Sequence, residues 1–216
     1  MSEVISAVPS VNTRVFFSKT DRAKYISHLD LNRVMQGAIK RAKLPVWYTE
    51  GYNPHMYVQF MLPLSLGQEG VREAMDFRLL EEIPHGEVTE RLNKALPLDI
   101  RAVETAVPVL KNTDITTAEY EITADIDNEK FLKFAESEKI VVEKKTKKGV
   151  SEIDLKPLIS ELSVGEKITF GLPAGNDFNI NPALLLDAYR GASGEELRRI
   201  RIVRTKILCA DGSEFR

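Results

Sequence analysis

The sequence predicts an α+β fold in which one unit occurs twice in tandem. Residues 13–110 give strands and helices in the order β-α-β-β-α-β, with one additional extended segment, and residues 117–216 repeat that order. It is the order of the split βαβ, or ferredoxin-like, unit. We therefore expect two tandem ferredoxin-like domains, joined by a polar linker at residues 111–116 and preceded by an N-terminal tail at residues 1–12.

The first half begins with a predicted strand at residues 14–18 and a predicted helix at residues 28–43. Apolar residues recur along that helix at spacings of three and four, which places them in one stripe: Leu31, Val34, Met35, Ala38, Ile39 and Ala42. Ser27 stands three residues before Asp30, the spacing at which a hydroxyl caps one backbone N–H and the carboxylate reaches back to another. We expect the helix to begin there.

Pro45 ends this helix, and the β-branched and aromatic residues at 46–49 predict the second strand. The remaining predicted elements of the first half are strands at 57–62 and 72–79, a helix at 84–96 and a strand at 100–107. In the second half they are a strand at 119–125, a helix capped by Asp127, a hairpin of 140–145 and 150–155, a strand at 168–172, a helix at 183–190 begun by Asn181 and Pro182, and a strand at 199–208.

Composition excludes several classes of function. A hydrophobic content of 43% and a charged content of 29% are near globular averages, so the chain can bury a core. Its one cysteine, Cys209, excludes an internal disulfide and any zinc or iron–sulfur site built on several thiolates. The sequence has no signal-peptide pattern and no apolar run long enough to cross a bilayer, so we expect a cytoplasmic protein without membrane partners.

The charge pattern limits where nucleic acid could bind. A net charge of −2 and a pI near 6.0 give no global attraction to phosphate, so any basic footprint must be local. Candidates are residues 19–43, 144–148 and the last strand with Arg198, Arg199, Arg201, Arg204 and Lys206. The last strand could contact phosphates or could protect an exposed sheet edge, and both interpretations stay open.

The residues best suited to binding or catalysis follow the first two predicted strands. A β-α-β crossover makes those strands parallel, so the loops after them lie at one edge of the sheet, where ligands commonly bind. We therefore expect one binding surface made of Lys24, Tyr25, Ser27, His28, Asp30, Tyr52, Asn53 and His55. His28 is the candidate catalytic residue. It could serve as a general base, a metal ligand or an RNA contact, or it could simply pack at the helix entrance.

Residues 51–55 predict a turn, because Gly51 permits positive φ and Asn53 precedes Pro54. Tyr52 is the candidate for stacking on a base, whereas the pattern favours a core position for Trp47. We favour a ligand contact for His55 and Asn53 over a purely structural role. No metal-binding spacing joins the histidines, and the sequence contains neither a P-loop nor a nucleophile elbow, so we expect no cofactor and no metal.

Four motifs carry a resemblance to a known family: Tyr-Ile-Ser-His-Leu-Asp at 25–30, Arg-Ala-Lys-Leu-Pro at 41–45, Gly-Tyr-Asn-Pro-His at 51–55 and Leu-Pro-Leu-Ser-Leu-Gly at 62–67. The chain resembles the bacterial radical-SAM-associated, or radical-SAM-linked, proteins, a family without an established biochemical function. It departs from the family after His55, where the family tends to have Pro-Lys and this chain has Met56 and Tyr57. The resemblance implies an accessory or substrate-presenting module for a radical SAM enzyme that acts from another chain.

Three functions compete at this point. The first is an RNA-binding partner of a radical SAM enzyme, with RNA suggested by analogy to repeat-processing endonucleases of tandem ferredoxin-like fold. The second is a metal-independent ribonuclease in which His28 takes a proton from a 2′-hydroxyl, assisted by Lys24 or Tyr25. The third is a pure protein-interaction module. Whether the chain is an enzyme stays open.

Overall fold

The computed structural model of the protein describes residues 10–146, 149–175 and 178–216. Within this part of the chain the fold is mixed α+β, with four α-helices and mostly antiparallel strands. The chain separates into two units. One runs to Leu66 and resumes over Arg72–Lys111, together with Arg216; the other contains Gly67–Val71 and Asn112–Phe215. No helix in the described ranges is both long and apolar enough to span a membrane.

The first unit has six regular elements. They are β1 (Val11–Lys19), α1 (His28–Arg41), β2 (Val58–Phe60), β3 (Glu69–Leu79), α2 (His85–Ala95) and β4 (Ile100–Ala106), with the start of β3 assigned to the second unit. Hydrogen-bonded strands follow the order β4-β1-β3, and β2 pairs with the other side of β3. The β1–β4 and β2–β3 pairs are antiparallel.

Both helices of the first unit pack on one face of its strands. The predicted apolar stripe of α1 is buried, with only Val34 partly exposed, and it meets Val88 and Leu92 of α2 over a core that includes Val15, Phe17, Met75, Phe77 and Leu79. Burial of this stripe fixes which face of α1 turns away from the strands. Its exposed first turn therefore stands at the surface.

The second strand lies later in the chain than the sequence predicts. Residues 46–49 form only isolated bridges, Val46 with Leu79 and Tyr48 with Met56, and β2 is Val58–Phe60. After the bridge at Val46 the chain leaves β3, and it returns to β3 at β2. The intervening residues 48–56, closed by the bridge between Tyr48 and Met56, are called the 48–56 loop. Its turn at Gly51 has a φ of 122°, a conformation that glycine adopts without strain. Because this loop precedes β2, the crossover argument no longer places it beside the loop after β1.

The second unit repeats the plan with an inserted hairpin. Its elements are β5 (Ile115–Thr123), α3 (Asn128–Ala135), β6 (Val141–Thr146), β7 (Gly149–Asp154), β8 (Ser160–Val164), β9 (Ile168–Pro173), α4 (Ala183–Ser193) and β10 (Arg201–Cys209). Strands follow the order β10-β5-β9-β8, while β6 and β7 pair only with each other. The first residues of β3 add a short parallel pairing to β10 at Glu69 and Gly70.

Two predicted boundaries in the second half shift. The stretch expected to be a linker contains a 3-10 turn, Asn112–Asp114, and the first residues of β5. The side-chain oxygen of Asn181 accepts the N–H of Ala183 at 3.0 Å, as a capping residue does. The N-cap position itself is Pro182, which was expected to be the first helical residue. Residues 1–9 of the expected N-terminal tail lie outside the described residues.

Candidate functional site

The segment between β1 and α1 presents an exposed aromatic ring next to a cation. Tyr25 ends a 3-10 helix, Asp21–Tyr25, and is 69% exposed. The ammonium of Lys24 lies 5.3 Å from the centroid of the Tyr25 ring, within the range of a cation–π contact. The ring and the charge together offer a stacking surface and a partner for an anion.

Ser27 caps α1, and Asp30 supports it differently from the expectation. The Ser27 hydroxyl accepts the N–H of Asp30 at 3.1 Å and donates to the Asp30 carboxylate at 2.7 Å. The other carboxylate oxygen accepts from Arg33 at 2.9 Å. The hydrogen bond from Ser27, followed by the one from Arg33, lowers the pKa of Asp30. The carboxylate thus binds a hydroxyl and a guanidinium in place of a backbone N–H.

His28 is exposed at the first position of α1. Its ring stands edge-on to Phe60, with centroids 5.0 Å apart and planes at 72°, and Phe60 in turn contacts Phe17 of the core at 5.9 Å. No hydrogen bond joins the His28 ring to any residue that the structure describes. Asp30 does not orient the ring, because both of its carboxylate oxygens already bind Ser27 and Arg33.

His55 is built into the base of the 48–56 loop. Its Nδ1 lies 2.9 Å from the Thr49 hydroxyl and 3.2 Å from the backbone carbonyl of Asn53. Its backbone N–H donates to the same Thr49 hydroxyl at 3.0 Å, and its carbonyl accepts the N–H of Thr49 at 2.9 Å. The Thr49 hydroxyl can donate or accept and the Asn53 carbonyl can accept, so the loop holds Nδ1 in either tautomer, whereas Nε2 makes no hydrogen bond within the described residues. Tyr52 is fully exposed at the tip of the loop.

All eight predicted site residues belong to the first unit and lie wholly or partly at its surface. The structure joins them in two groups: Lys24 with Tyr25 and Ser27 with Asp30 beside α1, and Asn53 with His55 in the 48–56 loop. The rings of His28 and His55 have different neighbours, Phe60 for the first and Thr49 for the second. A single surface that contains both histidines stays a prediction.

A second aromatic cluster is absent from the sequence-based expectations. The guanidinium of Arg78 lies 5.2 Å from the ring centroid of Trp47 and 5.5 Å from that of Tyr57. The two rings meet edge to face at 6.5 Å. Trp47 is half-buried and does not belong to the core cluster, so the core position favoured for it is wrong. Alternation along β3 was the available signal, because Arg78 lies between the core residues Phe77 and Leu79.

Most basic residues of the last strand and of the turn before it form ion pairs. Arg199 pairs with Asp125, Arg201 with Glu69 and Lys206 with Glu119, all on other segments, while Arg198 pairs with nearby Glu196 and Arg204 is buried. Moreover, β10 has β5 on one side and the start of β3 on the other, so it is not an edge strand there. The structure therefore supports neither a free phosphate-binding stripe nor edge protection. Of the other basic run, Lys147 and Lys148 lie outside the described residues.

The described surface of the first unit offers groups that can bind a ligand. Exposed Tyr25, with Lys24 beside it, can stack on a flat ligand and attract an anion, and Tyr52 offers a second exposed ring. A general base needs a partner that fixes its tautomer and direction, and the hydrogen bonds around His28 supply none within the described chain. No group of three or more His, Cys, Asp or Glu side chains in the described ranges is arranged to hold a metal ion.

Comparisons with known proteins give one family. A family model described as "Uncharacterized protein conserved in bacteria (DUF2344)" matches residues 12–184. No curated protein matches the chain. Among solved structures, an unknown protein from Galdieria sulphuraria is 13% identical, with 88% of this chain and 97% of that chain covered and a TM-score of 0.29.

Proposed function

The chain belongs to this bacterial family of uncharacterized proteins, and from that premise we propose that it is a non-catalytic, RNA-binding partner that presents substrate to a radical SAM enzyme acting from another chain. The RNA part of the proposal rests on the surface of the first unit. The radical SAM part rests on the four sequence motifs and their resemblance to radical-SAM-associated proteins.

One observation carries the RNA-binding proposal: two tyrosines of the first unit are exposed where folding does not need them. Tyr25 is 69% exposed beside the Lys24 ammonium, and Tyr52 is 100% exposed at a loop tip. Unstacked bases bind to aromatic faces, and the adjacent phosphates bind to lysine. Exposed rings, one of them with a cation beside it, fit single-stranded segments of RNA better than they fit a small apolar ligand, which would need a concave pocket.

The surroundings of His28 favour binding over cleavage. The ribonuclease hypothesis requires an oriented imidazole and a second acid or cation at the phosphate. Asp30 is held by Ser27 and Arg33, and the His28 ring contacts the edge of Phe60. An exposed imidazole in this position is well placed to donate to or accept from a base or a phosphate without performing proton transfer.

The partner enzyme of the proposal would supply the radical chemistry. A radical SAM cluster is held by three cysteines, and the 216 residues contain only Cys209. In the proposal the partner therefore carries the cluster, and this protein holds or delivers the substrate.

We also infer that both units are ferredoxin-like. The first unit has the strand order β4-β1-β3-β2, and the second has β10-β5-β9-β8, which is the same order by position in each unit. Each unit places its two helices between the first and second strands and between the third and fourth, as the split βαβ unit requires. The β6–β7 hairpin is then an insertion in the second unit.

RNA-binding assays on the purified chain test the proposal. We expect structured RNA with single-stranded loops to bind, and the affinity to fall steeply as salt rises. Tyr25→Ala and Tyr52→Ala should each weaken binding about fivefold or more, the effect of losing one stacked base. Leu98→Ala is the matched control, since Leu98 is 73% exposed in the same unit but lies in the turn before β4.

Two results would contradict the proposal. If no RNA from the native cell binds at low salt, the RNA-binding function is wrong. If the chain cleaves RNA in EDTA and His28→Ala abolishes cleavage, the ribonuclease hypothesis replaces it. Affinity purification from the native cell, with both proteins and RNA identified, tests the partnership with a radical SAM enzyme at the same time.

A further inference from the structure

The face of the first unit that lies opposite its helices carries a row of charged side chains. Residues of β3 alternate, and Met75, Phe77 and Leu79 point into the core beneath the helices. The intervening residues Asp76 and Arg78 therefore project from the other face. Arg72, near the start of the strand, belongs to the same row.

Two members of this row are neutralised by neighbouring strands. Asp76 accepts two hydrogen bonds from Arg14, both at 2.7 Å. Arg72 donates to Glu104 at 2.8 Å and lies over the ring of Phe16 at 3.9 Å. Both charges serve to hold the strands together.

Arg78 has different surroundings. Its guanidinium lies over Trp47 at 5.2 Å and over Tyr57 at 5.5 Å, and its side chain makes no hydrogen bond or ion pair with any residue in the described ranges. The two rings fix the guanidinium in position, while its N–H donors stay free for an external acceptor. A planar group of five donors matches the oxygens of a phosphate.

We propose that Trp47, Tyr57 and Arg78 form a second RNA-contact site that binds one unpaired nucleotide of a single strand. Arg78 binds the phosphate through its free donors, and the base stacks on the aromatic cluster. The ligand is single-stranded because a base inside a duplex has no free face to stack on half-buried rings. This inference rests on the proposed RNA-binding function and adds a site distinct from Tyr25 and Tyr52.

The protein contains its own reporter for this site. Trp47 is the single tryptophan of the chain, so fluorescence excited at a wavelength that tyrosine does not absorb reports on the aromatic cluster alone. Titration of the wild-type chain with a single-stranded oligoribonucleotide should quench this fluorescence saturably, and the same titration with a fully paired duplex should not. A polyglutamate peptide of similar length serves as the probe for an acidic protein partner.

Substitutions separate the charge of the site from its rings. Arg78→Gln should raise the Kd for the single strand about tenfold and reduce the slope of log Kd against log salt by about 0.7, the effect of one phosphate contact. Tyr57→Leu should raise the Kd at least fivefold, the minimum for one stacked base, whereas Tyr57→Phe keeps the ring and loses only the hydrogen bond to Gln59. Lys94→Gln makes the same charge change at an exposed position of α2 and should leave the Kd within about twofold.

The outcomes distinguish this inference from the function on which it rests. If RNA binds, Tyr25→Ala and Tyr52→Ala weaken it, and Arg78→Gln behaves like Lys94→Gln, the second site is wrong and the proposed function stands. If no RNA binds the wild-type chain, both are wrong. If polyglutamate quenches Trp47 as strongly as the single strand does, the site belongs to an acidic protein partner and the inference is overturned. Circular dichroism on each variant verifies folding, and Arg78→Lys replaces Arg78→Gln if the latter does not fold.

Discussion

The two units of this protein share an order of elements but use their aromatic residues in different ways. In the first unit, Tyr25 and Tyr52 are exposed and Trp47 and Tyr57 flank a free arginine. Most aromatic residues of the second unit, in contrast, are buried in its core, with Phe178 as an exception. The same order of elements thus carries exposed aromatic rings in the first unit and mostly buried ones in the second.

The aromatic cluster of the second unit shows the structural use most clearly. Phe131 and Tyr189 have ring centroids 5.1 Å apart, and Phe134 contacts Tyr189 at 5.4 Å. The Tyr189 hydroxyl donates to Glu195 at 2.7 Å, and Lys130 donates to the other carboxylate oxygen of Glu195. The hydroxyl of Tyr189, the carboxylate of Glu195 and the ammonium of Lys130 thus bind one another inside the unit, and the cluster serves folding.

The largest expected effect comes from removing a core ring of the second unit. Phe131 is fully buried, and Phe131→Ala should lower the free energy of unfolding by about 3–5 kcal/mol. A denaturant titration followed by circular dichroism measures it. The exposed Tyr52→Ala is the counterpart and should change stability by no more than about 0.5 kcal/mol. A comparable loss in both variants would break the distinction between the two units.

Alkaline pH tests the same core through Tyr189. Burial, and then the hydrogen bond to Glu195, raise the pKa of Tyr189 from 10.0 to about 12. Because the folded value is raised, the stabilisation is fully present below pH 10 and is lost as the pH rises from 10 through about 12. Tyrosinate absorbance should therefore include a late ionisation step near pH 12. Tyr189→Phe should abolish that late step and cost about 1.5–3 kcal/mol, the contribution of a hydrogen bond to a charged group.

The helix caps provide a comparison of intermediate size. Ser27 caps α1 through Asp30, and Asp127 caps α3 through the N–H groups of Glu129 and Lys130. Ser27→Ala and Asp127→Ala should each lower stability by about 1 kcal/mol, because each removes a side chain that accepts from backbone N–H groups in the first turn of a helix. If Ser27→Ala also weakens RNA binding more than Asp127→Ala does, the cap of the first unit additionally positions Tyr25 and His28.

Acid titration of Asp30 sharpens that test. The hydrogen bonds from Ser27 and Arg33 lower its pKa below 3.8, so its contribution to stability is present above pH 3.8 and is lost as the pH falls through the lowered value. Ser27→Ala removes the largest cause, and the Asp30 pKa should rise toward 3.8. Carboxyl NMR chemical shifts across an acid titration measure the change. An unchanged Asp30 pKa in this variant would show that Arg33 alone holds the carboxylate ionised.

Local signals allowed much of the fold to be predicted. The stripe along α1, the cap at Ser27 and the β6–β7 hairpin each depend on residues close in sequence, and the structure has all of them. Strand β8 was not predicted, although it pairs with the next strand, β9, across a short turn. Its register shifts between Ser160 and Ser163, where Glu161 has a φ of 51°, and such an irregularity weakens the alternation from which a strand is predicted.

The residues of the candidate site could be predicted from the sequence, but the side chains that contact them could not. The sequence indicates that Tyr25 and Tyr52 are special, and both are exposed. It cannot show that Asp125, Glu69 and Glu119 neutralise the basic last strand, since those acids come from distant segments. Nor can it show that Arg78 lies over the rings of Trp47 and Tyr57, which belong to other segments of the chain.

The smallest expected effect concerns His55. Its contacts in the loop allow two roles to be tested separately, closure of the loop and contact with the ligand. Thr49 Oγ1 binds both the backbone N–H and the ring of His55, so Thr49→Val removes the loop-closing bonds while it keeps the imidazole. His55→Ala removes the ring contacts together with Nε2. Both variants should lower stability by no more than about 1 kcal/mol, because the bonds are exposed and each contributes about 0.5–1.5 kcal/mol at most.

RNA affinity then distinguishes closure of the loop from contact with the ligand. We expect His55→Ala to raise the Kd about two- to tenfold above that of Thr49→Val, the effect of one hydrogen bond between Nε2 and the ligand. Asn53→Ala keeps the backbone carbonyl that the ring of His55 contacts, so it tests the Asn53 side chain by itself, and we expect it to weaken RNA binding too. If His55→Ala and Thr49→Val bind RNA equally, His55 closes the loop and nothing more. In that case Tyr52 is the only residue of the 51–55 turn for which a ligand contact is still proposed, provided that Asn53→Ala also binds as the wild type does.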